Sequence, residues 1–219
     1  MDRLQEANVD RDLLIKHPFT MMVAGSTGSG KTRLVREILS NYDKITNLNR
    51  SPLVLWCYGI SQAMHREPLP NITMRYHEGF PDEGELSDVI VIDDLQTTAS
   101  KDPRLTNLFT RYSHHRNVSI IFVVQNLYLQ SKEMRTISLN CHYLVLMHSR
   151  RDRNQIARLA SQLYPGETDH FLSAYKNALS RDYGYLLLDL TPTTDENFRL
   201  RTNILPVEYP LTVYQRINV

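Results

Sequence analysis

Five apolar runs punctuate the chain, at 19–24, 53–58, 89–92, 118–124 and 143–147, and a sixth lies at 185–188. Each is continuous rather than alternating, the pattern of strands covered on both faces, as in parallel sheets. Between the runs the apolar spacing becomes helical. Leu34, Val35, Ile38 and Leu39 predict a helix over 31–41. Asp102-Pro103 reads as an N-cap followed by proline at the first helical position. Behind it Leu105, Leu108, Phe109 and Tyr112 form one stripe, with Arg104 and Arg111 on its polar flank. Ile156, Leu159, Ala160 and Leu163 predict a helix capped by Asp152 and stopped by Pro165-Gly166. Phe171, Leu172, Tyr175 and Leu179 repeat the pattern over 167–180. Segment 59–88, with Pro68, Pro70, Gly79, Pro81 and Gly84, predicts surface loops around a short strand at 72–76.

Strands alternating with helices predict an α/β fold, a doubly wound, mostly parallel sheet flanked by helices. At 219 residues, with no internal repeat or linker, the chain reads as one domain over 1–219. Residues 1–18 are its lead-in, 19–206 its core and 207–219 its tail.

The turn after the first run carries the chemistry. Residues 25–32 are Gly25, Ser26, Thr27, Gly28, Ser29, Gly30, Lys31 and Thr32, a complete G-x-x-x-x-G-K-[ST] loop. A strand before it and a helix after it are the context this motif needs to cradle phosphates. Its glycines permit unusual backbone angles and close ligand approach, so the amides of 28–32 can face one anion. In that role Lys31 reaches the β- and γ-phosphates and the Thr32 hydroxyl ligates Mg²⁺. A chance Gly/Ser turn would share the spelling, but a second motif argues against it. Val89-Ile90-Val91-Ile92 ends in Asp93-Asp94, 62 residues beyond Lys31, which leaves room for a helix and a strand. Asp93 is expected to hold Mg²⁺ through water, and Asp94 to orient or deprotonate the attacking water. Together these predict a P-loop NTPase that uses ATP and Mg²⁺. The 118–124 run ends in Gln125; beside the 89–92 strand it would meet the same phosphates.

Composition adds less. Net charge is +1, yet 19 of the cations are Arg and 6 are Lys; Arg favours bidentate phosphate contacts, although genome composition gives the same bias. Cys57 and Cys141 lack metal-ligand spacing and read as buried thiols; His114-His115 and Cys141-His142 are discounted as a zinc site because neighbours rarely converge on one ion. The opening residues are charged (Asp2, Arg3, Glu6, Asp10, Arg11, Asp12), unlike a signal peptide. Val118 to Val124 is too short to span a bilayer, so a soluble intracellular chain is expected. Arg150, Arg151 and Arg153 read equally as a DNA-facing cluster or as a solvated helix start capped by Asp152.

The chain resembles the FtsK–HerA superfamily of pumping ATPases, in particular viral genome-packaging enzymes of the Polinton/adintovirus type, relatives of the poxvirus and giant-virus enzymes. The residues that carry it are Gly25 to Thr32, Val89 to Asp94, Ile120 to Tyr128, Arg135 to Val145, Arg151 to Ala160, Tyr164-Pro165, Tyr185 to Leu190 and Arg199 to Pro206. The resemblance implies a RecA/FtsK-like core and an ATP-driven motor moving double-stranded DNA into a preformed capsid. It also implies a homo-oligomeric ring at a capsid or portal vertex, in the host nucleus or virus factory, with association to the virion. Each site in such a ring is completed by a neighbour's arginine; Arg116 fits that place best and Arg111 second. Cellular relatives often carry Glu where this chain has Asp94, a shorter carboxylate. A P-loop nucleotide or nucleoside kinase and a nucleotide-gated DNA-binding module without hydrolysis are the alternatives. The first lacks an Arg-rich lid here; the second is opposed by the intact Lys31, Thr32, Asp93 and Asp94.

Overall fold

The computed structural model describes residues 13–60, 67–82, 84–95, 102–126, 132–149, 153–208 and 210–215. The apolar runs become strands β1 (Thr20–Ala24), β2 (Leu53–Tyr58), β4 (Val89–Asp93), β5 (Ser119–Val124), β6 (Tyr143–Met147) and β7 (Tyr185–Asp189). The short strand expected in the irregular segment is β3 (Thr73–Glu78), and two further strands, β8 (Leu200–Thr202) and β9 (Thr212–Val213), follow. All nine form one sheet in the order β3-β2-β4-β5-β1-β6-β7-β8-β9.

Successive side chains on a strand face opposite ways, so an uninterrupted apolar run feeds two cores. Met22, Ile92 and Phe122 point to one face, where Leu105, Phe109, Ile137, Ile156 and Phe171 cover them. Those residues come from helices α3 (Pro103–Asn107), α5 (Lys132–Leu139), α6 (Arg153–Leu163) and α7 (Thr168–Ala178), and from a π-helical turn, Leu108–Tyr112, between α3 and α4 (Ser113–Arg116). Met21, Val91 and Val123 point the other way, onto Leu34, Val35 and Ile38 of α1 (Lys31–Ser40) and Tyr42 of α2 (Tyr42–Ile45). Each such side chain, fully buried, contributes roughly 1.5–3 kcal/mol. Asp102 caps α3 as expected, accepting from the Arg104 amide.

β3, β2, β4, β5, β1 and β6 are mutually parallel. β7 is the exception to the parallel reading of the apolar runs: it pairs with β6 antiparallel, and β8 and β9 continue that way. A continuous run reports cover on both faces, not direction. The antiparallel sense brings the start of β7 to the same end of the sheet as the ends of the parallel strands.

The lead-in and the tail are both tied to this body. Ile15 bridges Thr46, and β9 lies within the stretch read as the tail. The Arg201 guanidinium, 1% exposed, donates to Asp189 at 2.6 Å and to the Leu13 carbonyl at 2.7 Å. At the same lower end, His17 Nδ1 lies 2.7 Å from Ser119 Oγ and 2.9 Å from Tyr42 Oη. Cys57 and Cys141 are free, buried thiols, both pushed up to about 12 by burial. The His142 ring accepts from the Thr20 amide.

Candidate active site

β1 ends in the loop 25–32 at the carboxyl end of the parallel strands, where α/β sheets bind ligands. Gly28 and Gly30 adopt positive φ angles of 77° and 94°. Gly30 is the N-cap of α1, and the helix has neither a side-chain cap nor an acidic residue in its first turn. Its leading amides are therefore presented to an anion rather than to a neighbouring side chain. Ser26 anchors the loop sideways, its amide and hydroxyl both donating to the His148 carbonyl at 2.9 Å.

Lys31 is buried and donates to the Gly25 and Ser26 carbonyls at 2.8 and 2.9 Å. Burial lowers its pKa; the Asp93 and Asp94 carboxylates oppose that shift. Thr32 Oγ1 donates to Asp93 Oδ2 at 3.1 Å. Asp93 is 5% exposed, and burial pushes its carboxyl up to about 6, with Asp94 adding to the rise and Thr32 and Lys31 opposing it. A divalent cation would reverse that balance. A hydroxyl and a buried carboxylate are hard oxygen donors of the kind Mg²⁺ takes alongside phosphate oxygens and water. Among the described residues no three His, Cys, Asp or Glu gather into a metal cage.

Asp94 is exposed and has φ 56°. That left-handed turn sends it away from the strand instead of continuing β4. Gly59, just past β2, makes room for it: a Cβ there would lie 2.5 Å from the Asp94 carbonyl oxygen. The Gly59 amide also donates to the Asp93 carbonyl at 3.2 Å. Gly59 was not singled out in the sequence; a glycine at the end of an apolar run next to the Asp-Asp strand was its one signal.

β5 lies between β1 and β4, in register with both. Gln125 therefore emerges between the loop and the two aspartates, and Thr27, Lys31, Thr32, Asp93, Asp94 and Gln125 line one cleft of about 320 Å³. That interposed strand decides the architecture. The fold is that of a P-loop NTPase. No family model and no curated protein matches the sequence, but solved structures match the fold. The genome packaging NTPase B204 from Sulfolobus turreted icosahedral virus 2, in complex with sulfate, is 12% identical with a TM-score of 0.50, over 91% of this chain and 97% of that one. Its complex with ATP-gammaS gives 11% and 0.50, over 91% and 98%. The KaiC-like protein PH0186 from Pyrococcus horikoshii OT3 gives 11% and 0.47, over 90% of each chain.

Arg116 does not join this P-loop cleft. It is exposed at the end of α4, before the first residue of β5, at the opposite end of the strand from Gln125. A six-residue strand separates the two by roughly 20 Å at about 3.3 Å per residue. Arg111 falls in the π-helical turn, its side chain outside the described residues, as are Arg150, Arg151, Asp152 and the side chain of Arg153. Tyr183, which the sequence reading passed over, lies beside the loop in the turn that leads into β7: the Arg33 guanidinium sits 5.1 Å from its ring centroid. Among the described residues no helix is long and apolar enough to cross a membrane.

Proposed function

We propose that the chain is an ATP-driven motor that moves double-stranded DNA into a preformed viral capsid. The observation that carries this reading is the position of Gln125, on a strand placed between the phosphate loop and the two aspartates. Gln125 follows β5 directly and lines the cleft, so in this reading it couples the γ-phosphate to the DNA-contacting residues beyond it. The fold shared with the packaging NTPase B204 and the motifs resembling FtsK–HerA packaging enzymes support it.

In this mechanism the amides of 28–32 and Lys31 would hold the β- and γ-phosphates of ATP, and Thr32 and Asp93 would hold Mg²⁺ beside them. Mg²⁺, when bound, neutralises charge on the phosphate oxygens. Asp94 accepts a proton from a water oriented by Gln125. The water oxygen bonds to the γ-phosphorus, the bond to the bridging oxygen breaks, and ADP and phosphate leave. Arg116 cannot reach its own site, and a ring lets it serve the next subunit's. Arg-rich loops would contact DNA phosphates without reading sequence. The ring would sit at the capsid or portal vertex, in the host nucleus or virus factory. The test is hydrolysis of ATP with Mg²⁺ in the presence of duplex DNA or of nucleosides. Stimulation by duplexes of any sequence, lost at high salt, is expected; stimulation by a nucleoside, with phosphate transferred to it, would make the protein a kinase.

A further inference from the structure

A triphosphate lying along the loop with its γ end toward Asp93 and Asp94 directs its nucleoside away from those two carboxylates. On that side of the loop a second cleft opens, about 1030 Å³ in volume; it shares Gln125 with the first and is lined also by Ser26, Thr27, His148, Asp182 and Tyr183. Tyr183 is the aromatic ring of that wall. It is 53% exposed, belongs to neither hydrophobic core, and has φ 58°. A left-handed backbone disfavours any residue with a Cβ, and an aromatic ring left in solvent recovers little of that cost through packing. Such an outlier at a cleft points to a role there.

The ring is also held in register with the loop. A Cβ on Gly30 would lie 2.6 Å from Tyr183 Cδ1, so only glycine lets the two approach. The turn that carries Tyr183 starts at Leu179, whose carbonyl meets His148 Nε2 at 2.9 Å, and the His148 carbonyl takes both donors of Ser26. Loop, β6 end and tyrosine turn are thus one hydrogen-bonded unit.

We propose that Tyr183 is the platform on which the nucleobase of the bound triphosphate stacks, with Arg33 beside it. This rests on the reading of the loop as a triphosphate site. Stacking responds to ring area rather than to hydrogen-bonding edges, so purine triphosphates bind more tightly than pyrimidine ones. The test titrates the full chain with a non-hydrolysable ATP analogue, the matching CTP analogue and inorganic tripolyphosphate, for the wild type, Tyr183→Phe and Tyr183→Asn. Asparagine tolerates the left-handed backbone and lacks the aromatic face. Tyr183→Asn is expected to weaken the ATP analogue about tenfold and to leave tripolyphosphate unchanged, while Tyr183→Phe stays within about twofold of wild type. Equal affinity of Tyr183→Asn for the ATP analogue overturns the platform. Parallel weakening of tripolyphosphate also overturns it, because the ring would then only prop Gly30. A wild type that binds neither ligand sinks the triphosphate site itself.

Discussion

Gly59→Ala tests whether the Asp94 turn sets the rate of hydrolysis. The added Cβ would stand 2.5 Å from the Asp94 carbonyl oxygen, below the 3.0 Å that real Cβ atoms keep. Either the Asp94 peptide or the end of β2 must therefore give way by about 0.5 Å. A misplacement of about 1 Å in a catalytic group can cost a hundredfold in rate; half of that suggests roughly a tenfold fall in kcat. Nucleotide affinity should stay within about twofold, because Gly59 adjoins neither Lys31 nor Thr32 and most binding energy lies in the loop. Overpacking at the site should cost about 1–3 kcal/mol, a fall in Tm of several degrees (roughly 2–12 °C) for a chain this size. Steady-state phosphate release at saturating ATP reads kcat, and analogue titration reads Kd. The double variant with Asp94→Asn should be no slower than Asp94→Asn alone, since both act on one carboxylate. A Gly59→Ala protein with wild-type kcat, or losses that simply add in the double variant, would refute this reasoning.

Four further outcomes are expected. Lys31→Ala should lower both nucleotide affinity and turnover, whereas Asp94→Asn should bind ATP normally and hydrolyse it about a hundredfold more slowly; wild-type turnover from Asp94→Asn removes its role as base. Gln125→Ala should bind ATP nearly normally but lose stimulation by DNA, and loss of binding with stimulation intact would contradict a coupling role. Arg116→Ala mixed with Lys31→Ala should recover part of the activity, rising with protein concentration, since some mixed sites hold both residues; an arginine supplied in trans can be worth roughly a thousandfold, and co-assembled rings that stay dead rule out Arg116. Burial lowers the His17 pKa below its ordinary 6.5, with the Asp88 carboxylate partly opposing. Its stabilising contribution is therefore full above about 6.5 and is lost as pH falls through the lower folded value; protonated Nδ1 can no longer accept from Ser119. Thermal melts of His17→Gln from pH 7.5 to 5 should show a shallower loss than wild type, and identical pH slopes would exclude His17.

The phosphate loop and Asp93-Asp94 were legible because their chemistry is local: consecutive residues supply the amides, the ammonium, the hydroxyl and the carboxylates. Gln125 was legible from its place at a strand end, given the neighbour that β4 proves to be. The direction of β7 was not, since a buried run reads the same parallel or antiparallel, and Tyr183 was missed with it. Gly59 was missed because its contact with Asp94 crosses two strands far apart in sequence. The helix Lys132–Leu139 passed unseen because its described residues bury only Ile137. β8 and β9 are too short to carry a pattern.

Among the described residues, the two margins of the sheet bear on how copies of this chain could meet. One ends in β9, two residues long, and the other in β3, whose side chains alternate into solvent with Arg75 and Glu78 exposed and Arg75 held by Glu85 at 2.6 Å. Short or charged margins discourage strand-to-strand joining. A ring of these subunits would therefore be stitched by side chains and turns instead of shared backbone ladders. In the proposed ring such joints would be free to slip and re-form while every subunit's own sheet stays whole.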